Sequence, residues 1–437
     1  ILKMVKAQGL ILILLAVAKA GYVYPEQIHL SMTANPNEMK VTWVTFLAAN
    51  TVVKYRPVLC HEFLDDWLVK KGNYTAFKTG RGCWRTEYIH EVVLQGLNPD
   101  CKYQYQVGNG WAWSDTYIFK GRTNGFIDEN PMEVIVFGDW GIDATAEPSL
   151  DLLLELTQAH DLTAIMHTGD ISYNLNYLNG RYGDKFLEMI EPIATKYPYM
   201  TLPGNHDKAG NYSHYKHRFR MPWNEYNEGT GYFYSLDLGR IHFVMLNTEV
   251  YLDKDKIDSA NVQTEWLKKD LQSANENRQE RPWIVVMSHH PLYCSYNWAL
   301  KPKSSDCMED TLILRGYLEE IFNENSVDIY FQAHVHNYER NAPIYNNLTI
   351  ESETHNLNYE LNPKAPVYVT AGNAGNVLEH NDPPSPFPHN WVRCLTDEYG
   401  IGRLVAYNST HLYWEQYSSP LKTVIDHLLI VKERLKY

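Results

Sequence analysis

From residue 22 to about 123, apolar and polar positions alternate with a period of two. Ile28, Leu30 and Met32 alternate with polar neighbours, Val41 and Trp43 flank Thr42, and further short runs fall near 51–56, 87–94, 102–107 and 114–120. That period puts successive side chains on opposite faces, so the stretch predicts short antiparallel strands stacked as a sandwich. A turn-rich segment, 121–131, then breaks the pattern. Beyond it, apolar runs at 134–137, 162–166, 241–246, 284–287, 327–331 and 367–370 alternate with helix-period stretches at 150–156 and 311–322. Alternating strands and helices predict an α/β domain. The chain therefore reads as an α+β protein of two domains, 22–123 and 131–437. Repeats and low-complexity tracts are not evident, and the proline-rich stretch 383–388 reads as a loop.

In the first domain Leu97-x-Pro99 followed by Tyr103 resembles the tyrosine corner of immunoglobulin-like and fibronectin type III domains, and Trp43 is a suitable filler between sheets. Nothing in this half carries catalytic chemistry. At the start, Lys3 and Lys6 precede an apolar run at 10–17, and Ala18-Lys19-Ala20 supplies small residues for cleavage. Residues 1–20 are thus expected to be a signal peptide, with Met4 as the natural first residue. No later apolar stretch has membrane length, and the segment 424–431 runs into Lys432, Glu433 and Arg434, unlike a lipid-anchor tail. The expected location is secreted, or the lumen of the secretory or lysosomal route, without a membrane anchor.

Six cysteines, at 60, 83, 101, 294, 307 and 394, without CxxC spacing, fit an oxidising compartment. Cys294 and Cys307 bracket one short loop and are the expected disulfide; the pairing of Cys60, Cys83, Cys101 and Cys394 stays open. Sequons at Asn73, Asn211, Asn347 and Asn408 are candidate glycan sites. The balance of 39 Lys+Arg against 52 Asp+Glu gives 39 − 52 = −13, without a basic block to neutralise a phosphate backbone. Nucleic acid is excluded as a partner on that ground. Any small anionic ligand would need a strong local cation, which a metal ion supplies.

The second domain offers one. Nearly every predicted strand ends in metal-capable residues: Gly138-Asp139-Trp140-Gly141, Gly169-Asp170-x-x-Tyr173, Gly204-Asn205-His206-Asp207, Val286-x-x-His289 and Ala333-His334-Val335-His336. Carboxyl ends of strands in open α/β sheets are where ligands bind. Each block alone is a common turn, cap or core histidine; jointly they make a set of hard oxygen and imidazole donors sufficient for two ions. In this order the blocks resemble the calcineurin-like metallophosphoesterase superfamily and its purple acid phosphatase branch, in particular the animal iron/zinc type. Trp140-Gly141 after Asp139, in place of Asp-x-His, and Tyr173 in the second block select the branch. Tyr338-Glu339-Arg340, Ala371-Gly372-Asn373-Ala374-Gly375 and Glu398-Tyr399-Gly400 extend the likeness.

The resemblance implies a fibronectin-like N-terminal domain followed by a catalytic domain of two sheets flanked by helices. It further implies Fe(III) held by Asp139, Tyr173 and His336, a divalent ion (Zn, Fe or Mn) held by Asn205, His289 and His334, and Asp170 bridging both. The implied activity is that of a secreted acid phosphatase hydrolysing small phosphate monoesters, with a metal-bound hydroxide as nucleophile. His206 would bind phosphate or protonate the leaving group. One departure stands out: where plant members have Tyr-Asn-His-His, this chain has Tyr296-Asn297-Trp298-Ala299, and no histidine lies between 291 and 318. His290 is a possible substitute, but strand alternation would turn it away from His289. The competing readings are a phosphodiesterase, a di-Zn or di-Mn member of the superfamily, and a non-catalytic binding protein of the same fold.

Overall fold

The computed structural model describes residues 22–60, 66–80, 85–122, 131–224, 226, 231–295, 306–376 and 389–433. The expected signal segment, most of the 121–131 turn region, Cys83 and the 296–305 loop with Trp298 lie outside these residues.

The first unit is a sandwich of two four-stranded antiparallel sheets. One runs in the order Glu26–Met32, Glu38–Thr45, Thr86–Gln95, Asn73–Lys78; the other runs Leu68–Lys71, Val52–Leu59, Lys102–Gly108, Tyr117–Lys120. Their inner faces meet in one core that holds Ile28, Leu30, Val41 and Trp43 against Val53, Tyr55, Tyr103, Tyr105 and Phe119. The Tyr103 hydroxyl accepts a hydrogen bond from the Asn98 N–H at 2.7 Å, the contact that makes a tyrosine corner. Cys60 and Cys101 form a disulfide across this unit.

The second unit holds two mixed sheets with helices packed on them. The first has the order Tyr199–Thr201, Ala164–His167, Met132–Phe137, Gly400–Ala406, His411–Ser418, Thr423–Val431, Tyr359–Leu361, Thr354–Asn356. The second has the order Tyr234–Leu238, Ile241–Met245, Trp283–Met287, Ile329–Gln332, Val367–Ala371, Tyr338–Tyr345, Leu348–Thr349, with Val392–Thr396 added to Tyr338–Tyr345. The pairs that surround the strand ends of interest are parallel and in simple register, as in Val134 with Ala164, Ile165 with Tyr199 and Val285 with Ile329. These central strands are buried on both faces, which explains why they read as continuous apolar runs. The Gly138 N–H donates to the Ala371 carbonyl at 2.8 Å and so ties the carboxyl ends of the two sheets together. The segment 424–431 is a sheet strand, paired antiparallel with His411–Ser418.

A buried charge network joins the two units. Arg218 Nη2 lies 3.0 Å from Glu87 Oε1 of the sandwich and 2.9 Å from Asp184 Oδ1, while Arg85 Nη1 meets Glu87 Oε1 at 2.8 Å. His29 Nε2 bonds the Arg218 carbonyl at 3.0 Å. Among the expected surface features, Asn73, Asn211 and Asn347 are exposed, whereas Asn408 is partly buried with its Oδ1 accepting from the Thr410 and His411 N–H groups. Cys294 is disulfide-bonded; the side chain of its expected partner Cys307 lies outside the described residues. Cys394 is a free thiol, pushed up to about 12 by burial. Among the described residues no helix is long and apolar enough to cross a membrane.

Candidate metal centre

Five parallel strands deliver their terminal residues to one crevice between the sheets. Met132–Phe137 leads into Asp139, Ala164–His167 into Asp170 and Tyr173, and Tyr199–Thr201 into Asn205 and His206. From the other sheet, Trp283–Met287 leads into His289, and Ile329–Gln332 into His334 and His336. Glycines make the close approach possible. Gly169 sits at φ +92°, and a Cβ there would meet His289 Nδ1 at 2.8 Å; a Cβ on Gly204 would meet Asp170 Oδ1 at 2.2 Å. Four of the donors themselves adopt left-handed backbone, Asp139 at φ 59°, Asp170 at 55°, Tyr173 at 45° and His334 at 68°. Such residues cost roughly 1–3 kcal/mol each and collect where function requires them.

The side chains form two groups. In the first, the Tyr173 hydroxyl lies 2.7 Å from Asp139 Oδ1 and 2.9 Å from His336 Nε2, and His336 Nε2 lies 3.3 Å from Asp139 Oδ1. In the second, Asn205 Oδ1 is 3.0 Å from His289 Nε2 and 3.0 Å from His334 Nδ1. Asp170 stands between them, its Oδ1 3.3 Å from His289 Nε2, and ligand atoms of Asp139, Asp170 and His289 lie within 4.8 Å of one another.

Each donor is aimed by a further bond. His289 Nδ1–H donates to the Thr168 carbonyl at 2.9 Å, which turns Nε2 toward the crevice. Asp139 Oδ2 accepts from the His334 N–H and Asp170 Oδ1 from the His206 N–H, both at 2.8 Å. Two supporting residues carry no metal-ligand signature in sequence. Asp207 takes the N–H groups of Asp170 and Gly204 at 3.0 and 2.9 Å, and Asn174 Oδ1 lies 2.7 Å from His206 Nδ1. Asp207 closes the Gly-Asn-His-Asp block and Asn174 follows Tyr173, so proximity to the motifs is the one signal that points to them.

The electrostatics suit cations. Burial opposes ionisation of Asp170, yet the His289 imidazole and the His206 groups hold it well below the usual carboxylate range. Burial also opposes charge on His289, but Asp170 and Asp139 hold it up to about 10. Burial together with the Asp139 and Asp170 carboxylates pushes Tyr173 well above the usual phenol range. A phenolate at that position therefore requires a strongly charged cation in contact with it. The donor set fits such a pair: hard carboxylate and phenol oxygens at one position, a neutral amide and two imidazoles at the other, and a carboxylate between them.

His206 Nε2 lies 4.0 Å from Asp170 Oδ2, and its ring sits 4.8 Å from that of Tyr173. The side chain is one-third exposed, open to an incoming molecule. On the far side, a cavity of about 670 Å³ borders Asn205 and His334 and is walled by Lys208, Glu249, His290 and Asp310. His290 does not face away as strand alternation suggested, because the strand ends at Met287 and the chain turns before reaching it.

Comparison with known proteins agrees with this geometry. Residues 25–121 match the purple acid phosphatase N-terminal domain, 132–338 the calcineurin-like phosphoesterase family, and 365–427 the C-terminal family described as iron/zinc purple acid phosphatase-like protein C. Acid phosphatase type 7 of Mus musculus is 36% identical over 430 residues, covering 95% of this chain and 92% of its own. The Danio rerio protein of that name is 37% identical over 425 residues, covering 94% and 92%. Purple acid phosphatase 15 of Arabidopsis thaliana is 30% identical over 434 residues, covering 88% and 75%. In fold, the chain matches the purple acid phosphatase from yellow lupin (Lupinus luteus) seeds with a TM-score of 0.79 at 24% identity, over 94% of this chain and 75% of that one. From the strand-end blocks, their convergence and these identities together, the chain belongs to the purple acid phosphatase family and is a phosphatase of the calcineurin-like metallophosphoesterase fold.

Proposed function

We propose that this protein is a secreted acid phosphatase that hydrolyses small phosphate monoesters at a dinuclear Fe(III)–M(II) centre. The observation that carries this reading is the division of seven donors into two groups around Asp170 (the Tyr173, Asp139 and His336 atoms within 3.3 Å of one another, and Asn205 Oδ1 3.0 Å from both His289 and His334). Asp139, Tyr173 and His336 would hold Fe(III), Asn205, His289 and His334 a divalent ion (Zn, Fe or Mn), and Asp170 would bridge them. When bound, the pair supplies Lewis-acid charge for the phosphoryl oxygens and a nucleophile available in acid. Its five positive charges exceed the three ligand anions Asp139, Asp170 and Tyr173, so the site attracts a small phosphate although the chain carries −13.

The chain's own residues orient and protonate. His206 projects Nε2 into the crevice while its Nδ1 stays on Asn174, and that fixed ring is placed to give a proton from Nε2 to the departing alkoxide oxygen. Asn205 combines a neutral carbonyl donor with an amide that can bond a phosphate oxygen.

The test is metal analysis joined to a pH–rate profile on p-nitrophenyl phosphate. The expected result is about one iron and one divalent ion per chain, as a two-metal site requires, with activity greatest below neutrality. A single zinc, or two metals without turnover, overturns the reading. Tyr173→Phe should abolish a visible charge-transfer band; a di-Zn or di-Mn phosphodiesterase would show no band to lose.

A further inference from the structure

His290 is held firmly through its backbone. Its N–H donates to Thr248 Oγ1 at 3.1 Å, and its carbonyl accepts from Ser288 Oγ at 3.1 Å and from the Tyr330 hydroxyl at 3.2 Å. The residue is 4% exposed. Nε2 lies 2.7 Å from Glu249 Oε1 and Nδ1 3.3 Å from Asp310 Oδ2. Glu249, at the start of the short helix Glu249–Leu252, is itself fixed by Lys208 Nζ at 2.6 Å. Asp310 belongs to the helix Asp306–Glu324, so two separate elements grip one imidazole.

Carboxylates flank both nitrogens without a well-formed hydrogen bond to either, and a ring nitrogen lies within 4.8 Å of ligand atoms of His289 and His334; His290 also turns its ring face to the crevice. That face lies against His334, with centroids 4.0 Å apart and planes at 31°. The two imidazoles of the second donor group are thus steadied differently. His289 is anchored through its outer nitrogen on the Thr168 carbonyl. His334 sits on left-handed backbone at φ 68° and must turn Nδ1, its inner nitrogen, toward Asn205 Oδ1 at 3.0 Å. A ring in that position turns about its Cβ–Cγ bond unless something stops its face, and His290 is that stop.

We propose that His290 is a positioning residue for the second metal position: clamped by Glu249 and Asp310, it sets the His334 ring so that Asn205, His289 and His334 converge. The proposal rests on the dinuclear reading above. It separates the two positions, because Asp139, Tyr173 and His336 have no part in the clamp. Loss of an orienting partner costs ~10–100-fold in metal affinity.

The experiment loads full-length wild type, His290→Ala, His290→Phe and Glu249→Gln with both metals, dialyses each against graded chelator, and counts metal equivalents and the visible band. The expected result is that His290→Ala releases one equivalent ~10–100-fold more readily while keeping the other and the band. His290→Phe, which preserves a ring face, should retain most of the affinity, with Glu249→Gln in between. Should His290→Ala fail to fold, Asp310→Asn loosens the clamp at a partly exposed carboxylate and must shift the same equivalent. Loss of both equivalents together with the melting temperature reduces His290 to a structural role and overturns the proposal, as does wild-type retention of both ions. A wild type that never holds two ions overturns the dinuclear reading itself, and this one with it.

Discussion

Individual residues in the crevice fall into candidate ligands, which the sequence announces, and supports, which it does not. Asp139, Asp170, Tyr173, Asn205, His289, His334 and His336 were legible because each follows a strand and each is a recognisable donor type. Asn174, Asp207 and His290 were not, since a support is defined by what it touches across the fold: Asn174 reaches His206 from 32 positions away, and Asp207 reaches Ile171 from 36. The two classes predict different losses. Asp170→Ala should remove both metals, because the neighbouring carboxylates are already committed, Asp139 to the first donor group and Asp207 to the Asp170 and Gly204 N–H groups, and metal content on the purified variant checks it. His206→Ala should keep the metals and lower turnover ~10²–10⁴-fold, as expected for loss of a general acid. Equal metal loss in the two variants would contradict that division of labour.

Among the elements, the central apolar strands of the second unit were readable, whereas Gly400–Ala406, His411–Ser418 and the helices Tyr177–Ala194 and Ile257–Glu276 were not, despite their buried faces, and two strands of the sandwich barely have such a face. Leu68–Lys71 and Asn73–Lys78 have almost no buried positions, so the alternation that marks a strand is missing from them. The Cys60–Cys101 pairing likewise depends on which strands lie side by side. At the junction of the two units, Arg218 and Glu87 are both fully buried, and Asp184 nearly so. Removing the guanidinium would leave Glu87 and Asp184 to the Arg85 guanidinium, which pairs with both, so the cost should fall below the ~3–5 kcal/mol of a fully unpaired buried charge. Arg218→Ala is therefore expected to lower the denaturation midpoint, and Arg218→Met with Glu87→Gln to recover part of it. A midpoint unchanged by the single substitution would show that Arg85 alone balances both carboxylates.

At the scale of the whole molecule, the ionisable groups pull both ways: burial lowers His90 and His214 to about 4 and His167 to about 3, which favours neutral pH, whereas other groups favour acid. Burial alone would lower His242, but hydrogen bonds to Asp237 and Asp270, at 2.8 and 2.9 Å, hold it up to about 9. A raised histidine stabilises fully below its ordinary value near 6.5 and loses that contribution as pH rises through about 9. The difference is worth about 3 kcal/mol at most. Glu87 acts in the same direction: burial, against the opposing pull of Arg218, raises it to about 7, so its share is present below 4.5 and lost as pH climbs past 7. Thermal midpoints should therefore fall between pH 7 and pH 9, and His242→Gln should flatten that part of the curve. A midpoint that rises toward pH 9 would contradict the His242 assignment.

The sheet order bears on how the chain comes to be folded at all. Met132–Phe137, which leads into Asp139, is flanked on one side by Gly400–Ala406, a partner about 270 positions further along, and outside that lie His411–Ser418 and Thr423–Val431. A nascent chain that has emerged only as far as His336 holds every donor of the crevice but presents the edge of Met132–Phe137 bare to its surroundings. Bare strand edges recruit other chains, and pairings this distant form slowly. The sheet that carries Asp139 is consequently completed only when the last three strands pair, and until then its open edge is the part of the chain most exposed to wrong partners.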